Sequence, residues 1–324
     1  MPAKMPSQTK LLYATGAISN GNFTSLGVVN LPKDLSIVNR RGYDHTDSKG
    51  VPYTFRVAVH WMPSGLDGSG YVVSGSSDIR TTVKFLTVAN NWVAKNAGIA
   101  WHNARNASLK RAGVKMKTLG AYAKTIRYNW EGDATTFLAP VDGSGAALAG
   151  GTWDTTTVFN GIDENGFRLK LIGTGYDEEN NVSTTDINAL HSYLQSRGTV
   201  KPDSNTEISE VPSGASLLLA TRDGRDSDVD ESQSVRIDVR GAQDNPPYDE
   251  FLGSDTNNDI TESLEAGRLV MYPSQQSGII TSVFDVPFGL FEVQAANRDP
   301  SDNSGIVDDM AFAVEILDIY PMLG

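Results

Sequence analysis

A chain of 324 residues (34.9 kDa), 39% apolar and 20% charged, can bury a sizeable core, and without cysteine it has no disulfides, thiolate metal sites or Cys nucleophile. The formal net charge is -12 and unevenly placed: residues 1–130 hold 17 Lys/Arg against 5 Asp/Glu, or +12, and residues 131–324 hold 10 against 34, or -24. No run of about 18 apolar residues suits a membrane span, and the opening MPAKMPSQTK lacks the apolar stretch of a secretory signal.

In chain order, residues 1–30 are polar and Gly/Ser/Asn-rich, with Lys4 and Lys10 their only charges, and read as an N-terminal arm or a loosely paired strand. Tyr53, Phe55, Val57, Val59 and Trp61 alternate with Thr54, Arg56, Ala58 and His60, the period of a half-buried strand. GLDGSGYVVSGSS reads as turn then strand, and TTVKFLTV as a further strand. Residues 81–130 then hold nine Lys/Arg and no carboxylate. Within them Val93, Ala97, Trp101, Ala104 and Ala107 recur at helical spacing, which predicts an amphipathic helix weakened by Gly98. Lys110, Arg111 and Gly113 make its stop signal. Leu119, Tyr122, Ala123 and Ile126 keep helical spacing for a second short helix, although AYAKTIRYNW also fits an extended strand.

Beyond Trp130 the pattern is short strands parted by Gly-rich turns: ATTFLAPVD, GTWDTTTVFNG, NGFRLKLIGTG, ASLLLAT, SVRIDVRG, RLVMYP and GIITSVFDV. STTDINALHSYLQSRG predicts one helix, capped by Thr185 or Asp186. MAFAVEILDIYPM is apolar on both sides and predicts an interior strand. Strands and helices do not alternate, so the expected fold is mainly β: a single jelly-roll β-sandwich over residues 31–324, with a basic helical insertion at about 88–127 and an acidic, loop-rich region at about 175–265.

The four histidines (His45, His60, His102 and His191) show no metal-ligand spacing, and no phosphate loop or nucleophile elbow occurs, so no enzyme activity is expected. Asp255, Asn257 and Asp259 have the first three spacings of a calcium loop, but Ile260 and Ala266 stand where its Gly and bidentate Glu belong, leaving calcium as a candidate cofactor beside a plain solvated loop. The basic segment interleaves its cations with Trp92, Trp101, Tyr122, Tyr128 and Trp130, the composition of a nucleic-acid face. Nine phosphate contacts on a single strand would give a log–log salt slope of about -6.

WHNARNASLKRAGV, LGAYAKTIRYNW, GGTWDTTTVF and the ending AFAVEILDIYPM resemble segments of capsid proteins from small circular single-stranded DNA viruses of the environmental, Rep-encoding type. The resemblance covers 60–80 residues in separate patches, and none of its motifs is catalytic. It implies a jelly-roll shell protein that assembles with copies of itself into an icosahedral virion around single-stranded DNA inside a host cell. Such proteins often begin with an Arg/Lys-rich arm, whereas residues 1–30 here carry only Lys4 and Lys10. Genome or interior contact then falls to Lys95, Arg105, Lys110, Arg111, Lys115, Lys117, Lys124 and Arg127, with docking on a neighbouring subunit's acidic part as the other use of that charge. The competing expectations are a secreted or surface β-sandwich that binds carbohydrate, with or without calcium, and a glycoside-acting enzyme, which needs a carboxylate pair in a cleft.

Overall fold

The computed structural model describes residues 5–15, 18, 21–62, 65–66, 72–73, 80–120, 123–131, 137–151, 153–158, 167–172, 186–196, 263–271, 279–298 and 310–322. The chain is mainly β with antiparallel sheets. In chain order it forms β1 (Lys10–Thr15), β2 (Thr24–Asn30), α1 (Leu31–Asn39), β3 (Tyr53–Met62), β4 (Gly65–Leu66), β5 (Val72–Val73), β6 (Arg80–Val88) and α2 (Trp92–Arg111). There follow β7 (Pro140–Val141), β8 (Thr157–Val158), β9 (Phe167–Lys170), β10 (Asp186–Asn188), α3 (Ala189–Ser196), β11 (Ser263–Met271), β12 (Ile280–Pro287), β13 (Leu290–Arg298) and β14 (Met310–Pro321).

Two sheets carry the architecture. One has five strands in the order β12-β3-β14-β1-β7, the other four in the order β11-β6-β13-β2, and every neighbouring pair in both is antiparallel. The alternation along β3 turns Phe55, Val57, Val59 and Trp61 to one side, where they meet Val83 and Phe85 of β6 and Phe291, Val293 and Ala295 of β13. Phe312 of β14 lies between Tyr13 and Trp61, with ring centroids 5.1 and 5.2 Å away, and Phe85 stacks on Phe284 at 5.1 Å. Such ring pairs add about 0.5–1.5 kcal/mol each beyond their buried area. Residues 1–30, expected as an arm or a loose strand, supply β1 and β2, and Leu11 and Tyr13 are fully buried.

β14 lies between β3 and β1, the interior place its two-sided apolar pattern predicted. A bulge between Ile316 and Asp318 changes the parity, so Ile319 rather than Asp318 turns inward, while Leu317 stays exposed. His60, on the opposite parity to the core residues of β3, joins a polar ladder on the outer face. Its Nδ1 lies 2.9 Å from Thr281 Oγ1 and its Nε2 3.2 Å from Glu315 Oε2, which Lys10 Nζ approaches to 3.4 Å.

Residues 89–262 all fall between β6 and β11, and their described parts build a second apolar core. There α2, α3 and the small sheet β10-β9-β8 pack on Val28, Val88, Phe288, Leu290 and Met322. α3 is capped by Asn188, whose Oδ1 accepts from the N–H groups of Leu190 and His191, not by the expected Thr185 or Asp186, since Asp186 belongs to β10. The same inserted chain returns to the open edges of both sheets. Leu138 N–H donates to the Val28 carbonyl (2.8 Å) on β2, and β7 pairs with Leu12 and Tyr13 of β1. Edge strands covered in this way cannot pair with stray chains. The expected strands ASLLLAT and SVRIDVRG lie outside the described residues.

One buried acid makes the fold pH-sensitive. Asp34, in the first turn of α1, is fully buried and accepts a 2.7 Å hydrogen bond from the Tyr13 hydroxyl. Burial pushes its carboxyl up to about 7, against the opposing pulls of that hydrogen bond, the Lys33 charge and the Asn30 backbone. Between the ordinary carboxylate range and pH 7 the folded state therefore binds a proton that the unfolded chain releases. This group's contribution to stability is present at low pH and falls as pH rises, by up to about 1.4 kcal/mol per pH unit. His45 acts in the opposite sense, because burial lowers it to about 4. The informative quantity is therefore a difference. Asp34→Asn should gain stability relative to the parent steadily from pH 4 to pH 7 in urea titrations, and a pH-independent difference would contradict this assignment.

Candidate nucleic-acid interface

The acid-free segment begins as the helix its periodicity predicts. Asn91 Oδ1 accepts from Ala94 N–H (3.0 Å) and caps α2. Ala94, Ala97, Trp101 and Ala104 make the buried stripe, with Val93 and Ala107 half-buried at its margin. The Trp101 indole N–H donates to the Ala189 carbonyl (2.9 Å), tying α2 to α3. Gly98 is a packing requirement rather than a weak point. A Cβ there would stand 2.6 Å from Pro52 Cγ and 2.9 Å from the Gly50 carbonyl, so only glycine lets the helix cross that segment.

α2 ends where Lys110, Arg111 and Gly113 predicted. Ala112, Gly113 (φ +74°) and Val114 donate their N–H groups to the carbonyls of Ser108, Lys110 and Leu109. Lys110 and Arg111 in the last turn face the negative end of the helix dipole. A single 3₁₀ turn follows over Met116–Thr118, with Thr118 Oγ1 donating to the Lys115 carbonyl (2.7 Å). The expected second helix gives way to non-helical chain beyond Ala123: Ile126, Tyr128 and Trp130 are buried in the second core, with Thr125 and Asn129 buried as well, and Asn129 N–H donates to the Leu169 carbonyl of β9. Burial against the second core outweighs helical spacing there.

The eight predicted contact residues divide into three groups. Lys110, Arg111, Lys115, Lys117 and Lys124 are exposed and make no ion pair among the described residues. Lys95 and Arg127 are half-buried. Arg105 is only 9% exposed, and its Nη2 donates to the Ala123 carbonyl at 2.6 Å. That bond holds Ala123 against α2, one residue before Lys124, while Lys110, Arg111, Lys115 and Lys117 lie on and just beyond the helix end. The ninth base, Lys84, lies 3.7 Å over the Phe23 ring. Ion pairs such as Lys10–Glu315, Arg168–Asp186 and Arg268–Glu265 are made elsewhere.

The aromatics correct one expectation. Trp101, Tyr128 and Trp130 are core residues, at most 1% exposed, and offer no ring to a nucleobase. Trp92 is half-buried, and Tyr122 lies outside the described residues. What remains is a cationic face suited to phosphates rather than a stacking platform. Five free cations reduce the expected salt slope on single strands to about -3.5.

Around Arg127 lies a group whose other members composition did not single out. The Arg127 guanidinium sits 5.2 Å over the half-buried Trp153 ring, and its Nη1 donates to the Asp154 carbonyl (3.3 Å). Arg127 N–H donates to Thr156 Oγ1, and Thr125 Oγ1 to Asp44 Oδ1 (2.6 Å). His45 meets Trp153 edge-on and donates from Nδ1 to the Phe288 carbonyl (2.6 Å). The calcium candidates Asp255, Asn257 and Asp259 lie outside the described residues, and among the described residues no three His, Asp or Glu side chains form a metal-binding group. Among them, too, no helix is long and apolar enough to cross a membrane. No protein-family model, curated protein or solved structure matches the chain.

Proposed function

We propose that the chain is a viral coat protein: a jelly-roll subunit that assembles with copies of itself into a closed icosahedral shell around single-stranded DNA. The observation that carries this reading is the strand order. Count the eight long strands β1, β2, β3, β6, β11, β12, β13 and β14 from one to eight. The sheets then read 6-3-8-1 and 5-4-7-2. First pairs with eighth, second with seventh, third with sixth and fourth with fifth, all antiparallel. A long hairpin rolled once on itself gives that pairing, the double Greek key of jelly rolls.

Viral shells and lectins share this arrangement. Charge separates the two readings. The exposed cations on and after the last turn of α2, which make no ion pair among the described residues, oppose the -24 carried by residues 131–324, which suits a subunit with one side toward polyanion and another toward solvent or neighbours. Electron microscopy of the recombinant chain, together with its 260/280 nm absorbance ratio, tests the proposal. Closed shells of uniform diameter are expected. A clean monomer across salt and pH would overturn the reading, and sugar-dependent thermal stabilisation of that monomer would favour a carbohydrate-binding sandwich.

A further inference from the structure

We propose that Lys170 and Asn188 join in an isopeptide bond that the folded chain forms unaided, with release of ammonia. The inference stands apart from the coat-protein reading.

Strand register brings the two side chains together. In the parallel pair β9 and β10, Asn188 stands opposite Lys170. Residues opposite one another on neighbouring strands project to the same face, with the strands about 4.8 Å apart, within reach of a four-carbon side chain. Leu169 and Ile187, the preceding opposite pair, belong to the second core, so Lys170 and Asn188 share the other face. Both are buried all the same, Lys170 to 5% exposure and Asn188 to 1%. Lys170 makes no ion pair among the described residues. Burial draws it below the ordinary lysine range, against the opposing charges of Asp186 and Glu131. The neutral amine that this favours is the nucleophilic form of lysine.

Asn188 is the matching electrophile. Its Oδ1 accepts from Leu190 N–H (3.1 Å) and His191 N–H (3.0 Å) at the start of α3. Two backbone donors on one amide oxygen polarise its carbonyl and lie where negative charge develops when an amine adds. The positive end of the α3 dipole acts in the same sense. Asn129, which bridges Lys170 from the other side, has the N–H of its neighbour Trp130 on its Oδ1 (2.9 Å) instead of the paired donors of a helix start.

In the reaction Lys170 Nζ adds to Asn188 Cγ, and the carbonyl electron pair moves onto Oδ1 beneath the two N–H groups. Asp186, two residues before Asn188 on the same face of β10, takes the proton from Nζ and passes it to Nδ2. The carbonyl re-forms, the Cγ–Nδ2 bond breaks and ammonia leaves. Amine and amide become a new amide and ammonia, with no oxidant and no second substrate. The product retains Oδ1, so the cap of α3 survives, and residues 171–187 are closed into a covalent loop.

The intact mass of the denatured full chain reads the bond. The parent should be lighter than its sequence by one ammonia. In a tryptic digest Lys170 should resist cleavage, leaving 169–197 as one peptide that lacks an ammonia and yields no fragments from bonds between the two linked residues. Lys170→Met and Asn188→Ser should have their full sequence masses, the serine keeping a capping oxygen for α3. Asp186→Asn should leave most chains unlinked, and complete linkage there would overturn the proton's route. A parent of full mass overturns the proposal. So does ammonia loss that persists in Lys170→Met, the mark of a cyclised asparagine, and so does a link to Asn129, which would join peptides 128–168 and 169–197. If a variant does not fold, the parent's mass and peptide map decide alone.

Discussion

Trp101→Ala should destabilise the chain by about 5 kcal/mol, and the loss should appear first in α2 and α3 rather than in the two large sheets. The side chain is fully buried at the centre of the second core. Truncating a buried Trp costs about 3–5 kcal/mol through lost burial and the cavity left behind. The Ala189 carbonyl also loses its indole donor, a further cost of about 1–3 kcal/mol if no partner replaces it. α2 and α3 meet around this residue, so their amide protons should exchange far faster, while β3 and β14 keep their protection. Trp101→Phe, which keeps most of the volume and loses the donor, should fall between. Uniform weakening of all strands in hydrogen exchange would mean that the two cores unfold as one unit.

Gly289→Ala should cost about 3 kcal/mol, against about 1 kcal/mol for Gly113→Ala. The two glycines share a left-handed backbone, with φ of +70° and +74°, so both substitutions pay the backbone term for a side chain there. They differ in their surroundings. A Cβ at Gly113 meets nothing within 4 Å, whereas one at Gly289 stands 2.6 Å from Pro32 Cδ and 2.8 Å from the Phe55 ring. Neither neighbour is a flexible chain end, so the overpacking term applies as well. Gly289 also closes the turn that carries the chain from β12 to β13. Its N–H donates to the Val286 carbonyl (3.2 Å), and Phe288 before it holds φ +58° while fully buried. Equal losses at the two sites, measured by urea denaturation, would remove the steric argument.

That turn also shows why part of the fold was not legible. β13 alternates Phe291, Val293 and Ala295 with Leu290, Glu292 and Gln294, a clear strand pattern, yet nothing in VPFGLF marks a chain reversal as Asn-Gly would. Phe288 takes the left-handed place by virtue of its packing against Tyr128 and its backbone bond to Tyr53, neither of which is local. β1 and β2 were read only as an arm or a loosely paired strand because Gly, Ser and Asn dilute their apolar residues, and their pairing with β14 and β13 spans almost the whole chain. β3, β6 and α2 were legible because each keeps one period along most of its length, and β14 because it is apolar on both sides despite its bulge.

In the candidate interface, Lys110 and Arg111 were legible as the last turn of a helix, and Lys115 and Lys117 as polar chain beyond it. Arg105 was expected among the genome or interior contact residues, yet it is buried. Its position four residues after Trp101 and one after Ala104 sets it at the margin of the buried stripe, so helical phase alone held the signal. Trp153 and Asp44 carried no such signal. Their approach to Arg127 and Thr125 depends on how distant segments pack.

The nucleic acid carried by purified particles is the most direct test of a subunit with a polyanion-facing basic side. Particles of the parent chain and of the Lys110→Glu, Arg111→Glu, Lys117→Glu variant would be compared by 260/280 nm absorbance, with shell integrity checked by microscopy. The two-sided subunit predicts intact shells whose nucleic acid content falls severalfold in the variant. Intact variant shells that carry as much nucleic acid as the parent would contradict it.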